Sequence, residues 1–245
     1  MRLVFIRHGE PDYSIDSLTE KGWREAQLVA KRLEKMSADA VYCSPLGRAK
    51  DTMKPYIEKT GKTAQICDWL EEFTYKKFIH PDTNKEKFIW DFTPDFLERN
   101  QEFFNKDDWA NLDFIANSEV VSAVQNVFEQ FDNCLKSHGY ERNGTYYKVN
   151  EENHKTLFFF CHFGVEALIL SHLFNTSPQA ISHNFIALPT SVTTLITEER
   201  EQGKAYFRCQ YFGDVSHLYK DDEPLSFAGR FCECFSDPER HDNGE

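Results

Sequence analysis

Leu3-Val4-Phe5-Ile6-Arg7-His8-Gly9-Glu10 is the stretch on which the reading of this chain turns. A run of bulky apolar residues reads as a strand buried on both faces, and it ends in a cation, an imidazole and a glycine. Ligands of open α/β sheets bind at the carboxyl ends of strands, and a glycine there lets the backbone approach an anion closely. The stretch therefore predicts a buried parallel strand with a candidate phosphate site at its end. Taken alone, the Arg-His-Gly triplet fits a surface turn equally well.

Two further stretches decide between these readings. Asp39-Ala40-Val41-Tyr42-Cys43 followed by Ser44-Pro45-Leu46-Gly47-Arg48 reads as a strand, a Ser-Pro turn and a helix with Arg48 in its first turns. Leu157-Phe158-Phe159-Phe160-Cys161-His162 is a strand with a histidine at its end, and Val165, Leu168, Ile169, His172 and Leu173 continue it as an apolar helix. Along the chain the patterns give strand 2–6, helix 19–35, strand 40–43, helix 46–60, strand 64–67, helix 118–137, strand 156–161 and helix 164–174. Apolar segments follow near 184–188, 191–197 and 204–212, the last two joined by the polar turn Glu198 to Gly203 as an antiparallel hairpin at a sheet edge. Alternating strands and helices imply an α/β fold with a largely parallel sheet covered on both faces. If the strands lie side by side, Arg7, His8, Arg48 and His162 converge.

Composition narrows the function. The chain has 245 residues and a net charge of −12. That length is enough for one α/β domain with a sizeable core, here 1–235, followed by a polar tail, 236–245, expected to be disordered. An acidic chain lacks the extended basic face that nucleic acid or an anionic membrane requires, so a small positive pocket for a small phosphorylated metabolite fits better. The run before Arg7 is too short for a signal peptide, and no stretch approaches the roughly 18 apolar residues of a membrane span, so a cytoplasmic protein is expected. The seven cysteines read as reduced thiols, with Cys43, Cys67 and Cys161 in apolar strand-like stretches. Cys232-x-Cys234 has no second pair at metal-site spacing, so no metal or other cofactor is expected. The oligomeric state is not legible.

The order of these elements resembles the histidine phosphatase superfamily, which includes cofactor-dependent phosphoglycerate mutases and many phosphomonoesterases. The resemblance covers residues 1 to about 73 and about 156 to 200. Arg7-His8-Gly9-Glu10 opens it, Ser17-Leu18-Thr19-Glu20-Lys21-Gly22-Trp23-Arg24-Glu25-Ala26 is similar to the family's "Leu-Thr-x-x-Gly-x-x-x-Ala" helix start, and Ser44-Pro45-Leu46-x-Arg48-Ala49 and the strand ending in His162 follow. The resemblance implies a phosphoglycerate mutase-like three-layer α/β/α sandwich. It makes His8 the nucleophile and Arg7, Arg48 and His162 the phosphate pocket. Leu70-Glu71-Glu72 resembles the family's "Leu-x-Glu", which makes Glu72 the general acid, its neighbour Glu71 being separated only by spacing. Gly9, Glu10, Ser14 and Phe163 are further candidates for the pocket lining; a solvated turn is the competing reading for Glu10 and Ser14.

Chemistry explains these residue types. A phosphate monoester is nearly dianionic at neutral pH, and two guanidiniums with a protonated imidazole offset the repulsion of an attacking group. At 4 Å a unit-charge pair is worth about 4 kcal/mol at an effective dielectric of about 20. Arginine also grips phosphate oxygens as a fork. His8 must itself be neutral, with one ring nitrogen free for phosphorus.

Departures from the family pattern refine the expectation. The mutase branch has an asparagine where this chain has Ser14, and its intervening loop is missing because Leu18-Thr19 follows at once. The acid phosphatase branch has "Arg-His-Gly-x-Arg-x-Pro", whereas Pro11 stands at the second arginine position, and His162 is followed by Phe163 in place of aspartate or of the commoner glycine. A metal-independent phosphomonoesterase working through phosphohistidine is thus the expected activity. A mutase-like phosphotransferase and a silent phospho-ligand binding module are the alternatives. Residues 74–150, rich in aromatics (Phe73, Tyr75, Phe78, Phe88, Trp90, Phe92, Phe96, Phe103, Phe104, Trp109, Phe114), correspond to the family's variable insertion. They are expected to form a helical lid that sets leaving-group specificity; the competing reading is that the aromatics merely make a satellite core for the insertion. The segments Asp214 to His217 and Phe227 to Phe231 are not placed by the sequence, although His217 could reach a pocket rim.

Overall fold

The computed structural model describes residues 1–74 and 77–237; Tyr75 of the aromatic segment and residues 238–245 of the polar tail lie outside the described residues. An eight-stranded sheet runs in the order Gln65–Ile66, Ala40–Cys43, Thr156–Cys161, Arg2–Arg7, Val192–Glu201, Lys204–Asp214, Tyr146–Val149, Tyr140–Asn143. The first four strands are mutually parallel, and the remaining pairings are antiparallel. Only Val192–Glu201 and Tyr146–Val149 run against the rest, so the sheet is mixed with most strands pointing one way.

Side chains alternate across the central strands and build a core on each face. Leu3, Phe5, Tyr42, Leu157, Phe159 and Leu195 pack on one face with the helices Val120–Ser137 and Phe163–Phe174. Val4, Ile6, Val41, Cys43, Phe158 and Phe160 pack on the other with Glu20–Leu33 and Gly47–Thr60. This is the three-layer α/β/α sandwich. The parallel register pairs Phe5 with Phe159 and Phe159 with Tyr42. The three rings stack in a ladder with centroids 4.9 and 5.1 Å apart, a contact that adds to plain area burial. Among the described residues no helix is long and apolar enough to cross a membrane.

Three expectations need correction. The hairpin of Val192–Glu201 and Lys204–Asp214 lies inside the sheet, because its first strand pairs with Arg2–Arg7 and its second with Tyr146–Val149. The edge is a further hairpin, Tyr140–Asn143 with Tyr146–Val149, from the stretch assigned to the lid. Its signal was Asn143-Gly144 at the turn, where Gly144 adopts φ +63, a conformation that favours glycine. The insertion itself is therefore shorter, ending before the Val120–Ser137 helix. Its aromatics are also no satellite: Phe78, Phe96, Phe103 and Trp109 belong to the same continuous core as Phe5 and Phe159. The apolar stretch 184–188 forms no strand or helix. All seven cysteines are free thiols, with Cys43, Cys67 and Cys161 buried.

Candidate active site

Register brings the site together. Arg7 lies opposite Cys161, so the next residues, His8 and His162, leave the sheet side by side with ring centroids 5.0 Å apart. Phe160 lies opposite Cys43, which sets Ser44 beside His162, its Oγ 2.8 Å from His162 Nε2. The turn after the first strand is packed backbone on backbone: a Cβ on Gly9 would come within 2.8 Å of Gly22 O, and one on Gly22 within 2.2 Å of Glu10 O. That contact gives the Leu-Thr-x-x-Gly helix start its purpose. Thr19 caps the helix, accepting from Gly22 N at 3.0 Å, and the glycine lets the helix abut the His8 loop.

His8 is 1% exposed and its Nδ1 is 2.7 Å from Gly9 O. Nδ1–H donates to this carbonyl, which leaves the lone pair on Nε2. Burial, then the Arg7 charge, hold His8 well below the usual imidazole range, so the ring is neutral. His162, fully buried, is likewise held well below that range by burial, then by His8, Arg48 and Arg7. The imidazole expected to be protonated is therefore neutral here: nothing anionic faces it strongly enough to offset its desolvation.

Arg7 is buried, and its Nη1 donates to Ala187 O and its Nη2 to Ala228 O, the latter at 3.3 Å, while Nε has no partner. Gly229 presses on the same guanidinium, since a Cβ there would lie 2.4 Å from Nη2. The segment Ser226 to Gly229, which the sequence left unplaced, thus lies directly on Arg7. It is anchored by Ser226 Oγ donating to Glu10 Oε2 at 2.6 Å and by Lys21 Nζ donating to Leu225 O at 3.0 Å. Arg48 donates from Nη1 to Asp16 Oδ1 at 2.6 Å and lies 5.4 Å from the centre of the Tyr13 ring. Asp16, at φ +47, also accepts from Gly47 N at 2.6 Å and so caps the Arg48 helix from outside.

Glu72 comes from the loop after the third parallel strand. Its Oε1 accepts from Phe73 N at 2.9 Å, and burial raises its pKa against the pull of Arg7 and Arg48. It fits against the first turn of the Phe163–Phe174 helix only because residue 164 is glycine: a Cβ there would be 2.3 Å from Glu72 Oε1. The glycine that commonly follows the second family histidine is thus displaced by one position, and Phe163 begins the helix without disturbing it. Trp90 of the insertion reaches the same point, its Cζ3 lying 3.2 Å from it.

Other candidates lie elsewhere. Glu10 faces away, accepting from Thr19 Oγ1 at 2.8 Å and from Ser226. Ser14 is exposed and bonds to Asp12. His217 is buried behind the site instead of at its rim, with Nε2 3.1 Å from Thr190 Oγ1; Thr190 N in turn donates to His8 O. Four residues escaped the sequence reading: Ser44, Asp16, Thr52, whose Oγ1 accepts from Gly9 N at 2.9 Å, and Glu166, buried in the first turn of the Phe163–Phe174 helix. Only the Ser-Pro turn and the Asp in the short loop 11–17 offered a signal. Ligand atoms of His8, Glu72 and His162 lie within 4.8 Å of one another, but two guanidiniums beside them make this a pocket suited to an anion.

A sequence profile of the histidine phosphatase superfamily, branch 1, matches residues 3–116, which include Arg7, His8, Arg48 and Glu72. A Schizosaccharomyces pombe protein named as a probable phosphatase is 22% identical over 238 residues, covering 91% of this chain and 97% of that protein. A phosphoserine phosphatase from Entamoeba histolytica, solved with phosphoserine, superposes with a TM-score of 0.58 at 19% identity, covering 89% of this chain and 98% of the other. A mycobacterial glucosyl-3-phosphoglycerate phosphatase gives 0.57 at 18%, covering 87% and 99%. Residues 3–116 thus match the profile of the histidine phosphatase superfamily, branch 1, and the chain shares its fold with these phosphatase structures.

Proposed function

We propose that the chain is a metal-independent phosphomonoesterase that hydrolyses a small phosphorylated metabolite through a phosphohistidine on His8. The observation that carries this reading is the His8 ring, neutral and held at Nδ1 by Gly9 O, beside Arg7, Arg48, His162 and a carboxyl group whose pKa is raised. Arg7 and Arg48 bind the phosphoryl oxygens, Arg7 exchanging its contact with Ala228 O and Arg48 sharing its fork with Asp16. His8 Nε2 forms a bond to phosphorus as the ester P–O bond breaks. The departing oxygen takes the proton of Glu72 and leaves as the alcohol. Glu72, now a carboxylate, accepts a proton from water as that water's oxygen bonds to phosphorus and the N–P bond breaks, releasing inorganic phosphate. His162, neutral at rest, gains affinity for a proton when the dianion arrives.

The related structures, solved with phosphoserine in one case and named for glucosyl-3-phosphoglycerate in the other, support a small phosphorylated substrate. Hydrolysis of p-nitrophenyl phosphate by wild type and His8→Ala with EDTA present, with mass spectrometry of the acid-sensitive adduct, tests the reading. Chelator-resistant turnover that disappears in His8→Ala, with a phosphoryl group on His8, is expected. Turnover that needs a metal, or that survives His8→Ala, would overturn it.

A further inference from the structure

In the proposed reaction the proton of Glu72 has to meet the leaving oxygen at hydrogen-bond distance, about 3 Å, so a group beside Glu72 lies close to the leaving group. On the side of the insertion that neighbour is Trp90. The position that a Cβ on Gly164 would take is 2.3 Å from Glu72 Oε1 and 3.2 Å from Trp90 Cζ3, so the carboxyl oxygen and the edge of the indole are no further apart than the sum of the two, about 5.5 Å. Phe88 stacks on the indole, with ring centroids 5.3 Å apart and planes at 16°. Ile89, between them in sequence, is 1% exposed and fixes the segment in the core.

Burial sets these two rings apart from other aromatics of the insertion. Phe78, Phe96 and Phe103 are 2, 1 and 0% exposed and belong wholly to the core. Phe88 and Trp90 are half-buried, so a flat apolar surface is left partly in water where the insertion meets the general acid. Covering such a surface with an apolar group is favourable. Charge points the same way. Lys77 Nζ lies 5.3 Å from the Phe88 centroid and pairs with Glu86 at 3.0 Å, and Lys87 pairs with Asp91 at 2.7 Å. These two lysines are thus neutralised within the insertion, while Arg7 and Arg48 serve the phosphoryl group. An uncharged ring suits this surface better than a leaving group bearing a carboxylate or an ammonium. We infer that Trp90, backed by Phe88, is a specificity-determining residue that stacks on the leaving group, and that the substrate class is a phosphate monoester whose alcohol carries an aromatic ring. The inference rests on the phosphomonoesterase reading and names the substrate class of that same site.

The test compares kcat/KM for benzyl phosphate and ethyl phosphate, which differ in the ring but release alcohols of similar acidity, so their ratio separates recognition from chemistry. Wild type should prefer benzyl phosphate by about tenfold, the scale of one aromatic contact. Trp90→Ala should bring the ratio close to one, chiefly through KM for benzyl phosphate, and Trp90→Phe should restore part of it. Trp90→Leu keeps an apolar side chain without the flat face and carries the test should Trp90→Ala fail to fold. Equal kcat/KM for the two esters in wild type, a loss shared equally by both in the variants, or faster turnover of O-phosphoserine than of benzyl phosphate overturns the role of Trp90. Each of these leaves intact the phosphohistidine reading, which is tested separately with p-nitrophenyl phosphate and His8→Ala. If wild type turns over none of these esters, calorimetry with benzylphosphonate and ethylphosphonate decides. About tenfold tighter binding of the first that is lost in Trp90→Ala upholds the inference, equal affinities overturn it alone, and no binding of either overturns the phosphate pocket with it.

Discussion

The parallel strands and the aromatic insertion between residues 77 and 119 use the same kind of side chain in two ways. Phe159 is locked by strand register between Phe5 and Tyr42 on a ladder of backbone hydrogen bonds. Phe92, in a segment without regular structure, is surrounded by Phe78, Phe96 and Phe103, with centroids 5.2, 5.0 and 4.6 Å away; Phe78 lies in the small hairpin of Phe78–Ile79 with Glu86–Lys87, and Phe96 and Phe103 lie on short helical turns. Both groups share one core, but only the first is tied to the site through backbone geometry. Position is therefore controlled by the strands, and the insertion supplies cover, of which Trp90 meets Glu72 at Gly164.

The largest effect should be His8→Ala, which removes the proposed nucleophile without touching the ladder. Activity should fall by about 10⁴-fold or more with the unfolding midpoint little changed, read from single-turnover kinetics and urea melts. Phe159→Ala should cost about 3–5 kcal/mol in urea unfolding, against roughly 1–3 for the partly exposed Phe92→Ala; equal costs would erase the distinction between the two regions.

Next comes a pH effect in the Glu20–Leu33 helix, which packs on the strands. Burial raises Glu25 from its ordinary 4.5 to about 7, so the folded state holds a proton that the unfolded chain has lost. Stability contributed by this group is complete below about pH 4.5 and is lost as pH rises through 7, by up to about 3 kcal/mol. Glu25→Gln should flatten that part of the stability curve; an unchanged slope refutes it. Smallest is Asp16→Asn, which keeps a residue that tolerates positive φ and an acceptor for Gly47 N but removes the charge facing Arg48. Stability should move by no more than about 1 kcal/mol, while inhibition by inorganic phosphate should tighten severalfold because Arg48 loses a competitor.

Strand ends and helix starts were legible because apolar runs and capping residues act locally: Ala40–Cys43 and Thr156–Cys161 fall where their patterns placed them. So did the arginines and histidines, carried by short motifs. The partners of those residues were not legible. Asp16 reaches Arg48 from 32 positions away, Ala228 O reaches Arg7 from 221, and Glu166 reads as one polar residue inside an apolar helix. Such contacts depend on where the chain returns in space, and no periodicity records that. The edge hairpin was missed for a different reason: its strands, Tyr140–Asn143 and Tyr146–Val149, are four residues each and mix charged residues with the buried Tyr140 and Tyr147, so only the Asn143-Gly144 turn marked them.

The segment Ser226 to Gly229 has a kinetic consequence. Arg7 is 5% exposed, His8 1%, and one carbonyl of that segment occupies an Arg7 nitrogen. If a ligand reaches Arg7 only when this contact is broken, the association rate is the encounter rate multiplied by the fraction of molecules in which the segment has lifted. Substitutions at Ser226 or Lys21, which anchor the segment, would then change the rate of capture and the apparent affinity by the same factor.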